Sequence, residues 1–271
     1  MKASWVSALI PGSEELSRCD TGWGNAVRQS VGGVRLGLLG GFSLQDQHGA
    51  RRLNLPHQAQ RLLAVLAVAS ITSRAWVAGT LWPETTENRA HSSLRTAIWQ
   101  VTRASSNILR TQGTELGLAD DIEVDIRALR QATHAALNDR NPSAGQVEML
   151  RGAPDLLPGW YDDWVHFERE SLTQLRLHAL ERLSGQRLTA GRYAEALALA
   201  MAAVATEPLR DSAHRLVVQC HLREGNAVHA LRHYEGYRDL LHRELGIPPS
   251  PQMQQLLGPL RSASIHHASA S

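Results

Sequence analysis

Arg89, Arg95 and Arg103 recur along one short stretch, RAHSSLRTAIWQVTR, that contains no carboxylate. Ser92, Ser93, Thr96 and Gln100 lie between them. A guanidinium fork holds phosphate or the O6/N7 edge of guanine, a Gln amide reads adenine, and hydroxyls bind phosphate. These residue types point to binding of a polyanion. At about 100° per residue, with Arg89 as origin, Ala90, Leu94, Ala97, Ile98, Val101 and Ile108 fall between roughly 80° and 180°. Arg89, Ser92, Ser93, Thr96, Gln100, Arg103, Asn107 and Arg110 fall between roughly −60° and +40°, flanked by Trp99 and Arg95. The spacing predicts a helix starting at Thr86 or Glu87, with one side in a core and a cationic, hydroxyl-rich side opposite. A merely solvated side normally mixes Glu with Arg for i,i+4 support. Trp99 is read as packing at the helix border, against a wing or sheet; contact with DNA is the lesser alternative.

Charge distribution sharpens the point. Residues 51–110 carry eight arginines against Glu84 and Glu87, whereas residues 127–271 are nearly balanced, sixteen against fifteen. One basic segment in a chain of net charge +2 suggests an anionic partner for that segment. Lys2 is the only lysine, so a GxxxxGK phosphate loop is excluded, and lysine Schiff-base chemistry effectively so. Asp120-Asp121 and Asp162-Asp163 lack a convergent nucleophile; a wing turn and a helix N-terminus account for them. His229 and His233 stand i,i+4 without the Glu of HExxH, and are read as helix-surface residues, as is the His266-His267 pair. No enzyme, cofactor or metal is expected. Cys19 and Cys220 form no CxxC and are read as free thiols of a reducing cytoplasm. No apolar run reaches the length of a membrane span, and the N-terminus lacks a signal-peptide pattern.

The elements that must position the basic helix follow from local pattern. VRLGLLG, FSLQ and RRLNL read as short antiparallel strands, with a turn at Asp46–Gly49. PHQAQRLLAVLAVAS reads as a buried helix, and Ser73 caps a second, short helix stopped by Trp82-Pro83. LRTQGTELGLADDIEV reads as a β-hairpin turning at Gln112-Gly113. Sheet, three helices and hairpin make a winged helix. Beyond Val124 the chain reads as helical. GRYAEAL at 191–197 returns as GNAVHAL at 225–231, an offset of 34 residues, which is the tetratricopeptide period. Pro208 has His242 as its counterpart, and helices near 165–188 and 252–261 are expected to cap the two repeats.

LLPGWYDDWVHFERE (156–170), GRYAEALALAMAAVATEPLRDSAHRLVV (191–218) and ALRHYEGYRDLLHRELGIPPSP (230–251) resemble the bacterial transcriptional activator domain. With VRLGLLGGFSL and a winged helix ahead of them, they resemble the Streptomyces antibiotic regulatory protein family, over about residues 34–260. The resemblance implies a mainly α protein, an OmpR-like winged helix followed by an all-α tetratricopeptide-like domain. It implies a bacterial, cytoplasmic, nucleoid-associated activator that binds direct repeats as side-by-side protomers and recruits RNA polymerase at a biosynthetic gene cluster. Arg89, Ser92, Ser93, Arg95, Thr96, Gln100 and Arg103 are the expected reader residues, with Arg61, Gln112 and Thr114 at phosphates. The chain departs from the family in opening its first helix with PHQAQR and in carrying Gly79 in the second. The alternative reading is a protein-interaction adaptor whose winged helix no longer binds DNA. The expected division is an N-terminal arm (1–30), a winged-helix domain (31–123), a helical activator domain (124–262) and a tail (263–271).

Overall fold

The computed structural model describes residues 34–45, 53–138 and 140–258. The expected arm and tail, the Asp46–Gly49 turn, Cys19 and the His266-His267 pair lie outside the described residues. The chain forms two compact units. The first runs up to Ala128 and takes in Pro154–Glu168; the second holds Leu129–Ala153 and the chain from Arg169 onward. The single boundary expected between 123 and 124 is thus replaced by an interleaved one.

In the first unit, β1 (Arg35–Gly37) pairs antiparallel with β2 (Ser43–Gln45). Leu36 faces Leu44 in this register, and both are buried. The expected third strand, RRLNL, does not form over its described residues; Leu53 donates one backbone bond to Leu44 before Pro56 turns the chain into a helix. The third strand of the sheet is instead β6 (Glu123–Val124), which pairs parallel with β1, so this sheet is mixed. Asp125 fixes that junction. Its carboxylate accepts the Leu38 amide at 2.9 and 3.0 Å and the Leu39 amide at 2.9 Å, and it accepts the Ile126 amide as well. One anion thus satisfies donors of a strand end and a helix start 87 residues apart.

Helix α1 (His57–Ala69) is buried almost along its whole length, including Leu62, Leu63, Val65 and Leu66. After it, Thr72–Ser73 form β3, a strand with no signal in ITSRAW. Ser73 also caps α2 (Arg74–Leu81), accepting from the Trp76 amide, and Trp82 ends it. Helix α3 spans Glu87–Ala104. Strands β4 (Leu109–Gln112) and β5 (Glu115–Leu118) make the wing hairpin, with β3 on its far edge. Gln112 pairs with Glu115, leaving a two-residue loop in which Gly113 has φ +59°, a region that suits glycine.

The LLPGWYDDW segment belongs to this unit. Leu39 and Leu156 form an antiparallel bridge, and the Leu157 amide donates to Leu38. Leu156 and Leu157 are buried, and Trp160 stacks on Phe42 and tilts over His57. Leu157 is left-handed (φ +43°), which costs an L-residue about 1–2 kcal/mol.

The second unit is helical. Helix α4 (Asp125–Leu137) leads into it, and Ser143 and Gln146 form a reciprocal capping box on α5 (Ala144–Gly152). Helix α6 spans Asp163–Thr189, α7 Tyr193–Thr206, α8 Asp211–Arg223, α9 Ala227–Leu245 and α10 Pro251–Leu256. The 34-residue repeat is structural. Gly191 and Gly225 both sit at positive φ, and the Arg192→Arg187 and Asn226→His221 backbone bonds close the same helix-ending motif at 2.9 and 2.8 Å. Ala196 and Ala230 are both fully buried. Where the first copy breaks at Pro208, α9 continues through His242 to Gly246. Ser250 caps α10 and also donates to Asp211 at 2.8 Å, and Met253 is buried beside Tyr234, Tyr237 and Leu241.

His233 is not a surface residue. Its Nε2 lies 3.0 Å from Nδ1 of buried His214, whose Nε2 reaches the Pro208 carbonyl at 2.9 Å and whose ring stacks on Tyr237. The bond to the carbonyl makes Nε2 a protonated nitrogen of His214; with that ring neutral, Nδ1 accepts from His233. Burial, with His214 and His221 nearby, lowers the His233 pKa to about 4; burial lowers that of His214 as well. Burial raises the free thiol of Cys220 to about 11, so it stays protonated.

Two outcomes follow. Asp125→Ala strands the amide donors of Leu38 and Leu39, and urea unfolding of the first unit should show a loss of about 2–4 kcal/mol. The two histidines bind protons more readily unfolded than folded. Stability of the helical unit should therefore be complete above about pH 6.5 and fall towards pH 4, by on the order of 2 kcal/mol. Urea midpoints across that range should show the slope, and His233→Gln should flatten it.

Candidate nucleic-acid interface

Thr86 starts α3 in extended conformation, Glu87 occupies its first turn and Arg103 its last, so both charges suit the helix dipole. Ala90, Leu94, Ala97 and Val101 are buried and Ile98 is half-buried. Alanines at two of these places let α1 and α2 approach closely. Ile108 is buried too, but beyond the helix, which ends at Ala104. The expected continuation through Asn107 to Arg110 is thus corrected. Ser105 leaves the helix, and Arg110 lies in β4, where its Nη1 meets both oxygens of Asp120 at 3.0 and 3.1 Å.

On the other side of α3, Arg89, Ser92, Arg95, Thr96 and Arg103 are exposed, and Ser93 and Gln100 half-buried. Arg95 donates to Ser92 Oγ at 2.8 Å, and Thr96 donates back to the Ser92 carbonyl. Among the described residues, no carboxylate forms an ion pair with Arg89, Arg95 or Arg103. Glu87 is occupied, loosely, by His91 at 3.8 Å. Trp99 is left largely open to solvent rather than covered by a wing or sheet. It is 57% exposed, its ring lies under the Arg103 guanidinium at 5.2 Å, and it borders a cleft of about 680 Å³ beside Leu53–Pro56. Gln100 lines the same cleft, while its amide oxygen is buried without a hydrogen-bond partner.

Gln112 and Thr114 are exposed at the wing tip. The Thr114 carbonyl accepts from the Arg74 amide at 3.0 Å, and β3 ties the hairpin to the start of α2. The wing is thereby held at three points.

Arg61 does not stand with the other expected residues. Its side chain is 17% exposed, and its guanidinium donates to the Leu81 carbonyl and pairs with Asp162. The partner lies 101 residues away, in the segment that returns to this unit, so nothing near Arg61 in the sequence announces it. No metal-binding group of three or more His, Cys, Asp or Glu occurs among the described residues, and no helix there is long and apolar enough to cross a membrane.

Residues 109–261 match the bacterial transcriptional activator domain. The chain belongs to that family. It has the organisation of the Streptomyces antibiotic regulatory proteins, a winged helix ahead of a tetratricopeptide-like activator domain, and membership places it among regulators of transcription. It is 27% identical over 242 residues to the regulatory protein AfsR of Streptomyces coelicolor, covering 85% of this chain and 24% of that protein. Against AfsR of Streptomyces griseus the identity is 27% over 219 residues, 74% of this chain and 22% of the relative. The chain thus spans about a quarter of the length of the curated relatives it matches. In fold it is similar to Mycobacterium tuberculosis EmbR, solved in complex with a low affinity phosphopeptide. The TM-score is 0.61 at 18% identity, over 82% of this chain and 63% of that one. The family match begins at Leu109 and leaves out α3, so the reader residues rest on the geometry above.

Arg61→Ala leaves Asp162 partly buried without its cation. Unfolding should show a loss of about 3 kcal/mol.

Proposed function

We propose that the protein is a sequence-specific DNA-binding activator of transcription that lays α3 in the major groove. The observation that carries this is the outward side of α3, three exposed arginines with hydroxyls between them and no carboxylate partner among the described residues. A helix presenting Arg, Ser, Thr and Gln in one stripe matches the donor and acceptor pattern of base edges and flanking phosphates. Gln112 and Thr114 at the wing tip suit phosphate contacts beside the groove. Arg61 has no part in binding.

The family's manner of action completes the reading. Protomers bind side by side on direct repeats, and the activator domain helps recruit RNA polymerase at the promoter of a biosynthetic gene cluster, in the bacterial cytoplasm. The reading assigns no enzymatic step and no cofactor.

Mobility shifts on the duplex upstream of the protein's own gene, across a salt series, test it. Affinity should fall steeply with salt, with a log–log slope of about −0.9 per phosphate neutralised. Arg89→Ala, Arg95→Ala and Arg103→Ala should each weaken binding by roughly 5- to 100-fold, and Arg223→Ala, exposed on α8, should leave it unchanged. Absent or salt-insensitive binding would favour the adaptor.

A further inference from the structure

We propose that Trp99 is itself a base-reading residue, acting with Arg103 as one preassembled contact. The indole meets the 5-methyl group of a thymine, and the guanidinium takes the O6/N7 edge of an adjacent guanine. The inference rests on the reading of α3 as the DNA-binding helix.

Rotation comes first. The buried residues Ala90, Leu94, Ala97 and Val101 define the inward direction of α3. At about 100° per residue, Ser92, Trp99 and Arg103 then lie within roughly 30° of the opposite, outward direction, closer than Arg89, Arg95 or Thr96. Trp99 therefore stands at the crest of the helix rather than at its border. Exposure comes second. A core position or the underside of the wing would have taken most of the ring out of water, and instead it is 57% exposed. A large apolar surface at the centre of a cationic stripe suits a partner that is anionic along its edges and apolar at one point. Duplex DNA has that character where a thymine methyl projects into the major groove, since thymine alone among the four bases carries a methyl there.

Preorganisation comes third. The Arg103 guanidinium lies 5.2 Å from the Trp99 ring centroid and has no carboxylate partner among the described residues. This cation–π contact restricts the long side chain before DNA arrives, so less freedom is lost on binding. The donor edges of a guanidinium so placed remain free for O6 and N7. The cleft beside Trp99 leaves the ring clear of the 53–56 stretch on that side.

The test uses the full chain. Duplexes enriched from a random-sequence pool serve as the probe. Each thymine is replaced in turn by deoxyuracil, which lacks only the methyl, and each guanine by 7-deazaguanine, which lacks N7. For the unaltered protein, one uracil replacement should weaken binding about fourfold, the worth of one buried methyl. The neighbouring 7-deazaguanine should weaken it as well. Trp99→Ala should bind more weakly and lose its sensitivity to that uracil, Trp99→Phe should retain part of it, and Arg103→Ala should lose sensitivity to the deazaguanine. Unchanged circular dichroism of the variants separates these losses from unfolding. If the enriched duplex binds but no thymine is methyl-sensitive, or Trp99→Ala is equally sensitive, Trp99 does not read bases and the proposal is overturned while the DNA-binding reading stands. If the pool yields no bound duplex at all, the DNA-binding reading fails and this proposal with it.

Discussion

Ala90, Leu94, Ala97 and Val101 lie on one side of α3, and their burial fixes how the helix is rotated about its own axis. Large aliphatic side chains gain about 1.5–3 kcal/mol each on full burial, and the two alanines let neighbouring helices come close. Turning the helix by one residue would exchange these groups for Arg95, Ser93 or Arg89. Withdrawing a guanidinium from water without a partner costs several kcal/mol. The inward and outward sides thus enforce the same rotation. Every residue of the proposed interface on α3, from Arg89 to the Trp99–Arg103 pair, takes its direction from that one constraint. The hairpin is tied through β3 to the start of α2 by backbone pairing, and its own Leu116 and Leu118 are buried in the same unit.

Arginine count is a poor guide to which cations are free. The basic excess of residues 51–110 drew attention to the region, but its arginines do different work. Arg61 is tied to Asp162 and Arg110 to Asp120, which leaves Arg89, Arg95 and Arg103 as exposed cations without acidic partners among the described residues. In the second unit, Arg210 is gripped by both oxygens of Glu181 at 2.7 and 2.9 Å, and Arg215 by Asp211 at 3.0 Å. Three such cations on one side of one helix, without acidic partners among the described residues, set α3 apart from Arg61, Arg110, Arg210 and Arg215.

What could be read from the sequence was whatever a local period or a turn residue specifies. The start and the inward side of the helix from Glu87 followed from its 3.6-residue spacing, the wing from Gln112-Gly113 between alternating residues, and the paired helices from an offset of 34. What stayed hidden depends on partners far along the chain. Strand β6 is placed by Asp125, 87 residues from the amides it binds. The LLPGWYDDW segment looked like part of the helical domain, yet it closes the first unit through Leu156, Trp160 and Asp162. Trp99 was misjudged for a related reason. Its angle placed it near the outward side, but whether a wing would cover it depended on where a hairpin ten residues later would fold. The paired His214 and His233 gave no signal because each has an ordinary helical neighbourhood and the contact arises only when α8 meets α9.

The electrostatics of α3 decide whether its charge pattern needs a partner to make sense. Arg89, Arg95 and Arg103 are separated by six and eight residues, about 9 and 12 Å along a helix axis. At that range in water two like charges repel by only about 0.1–0.2 kcal/mol once ordinary salt screens them. The free protein therefore tolerates the stripe at little cost, and no internal carboxylate is required to hold it. Against a duplex the balance is different. Each phosphate contact releases condensed counterions, and a bidentate contact with guanine contributes about 1–3 kcal/mol of discrimination. The span from Arg89 to Arg103 is about 21 Å of helix, enough for one end to lie at the backbone while the other reaches base edges. A spacing that is nearly neutral alone and strongly favourable against a groove is the arrangement a reader helix requires.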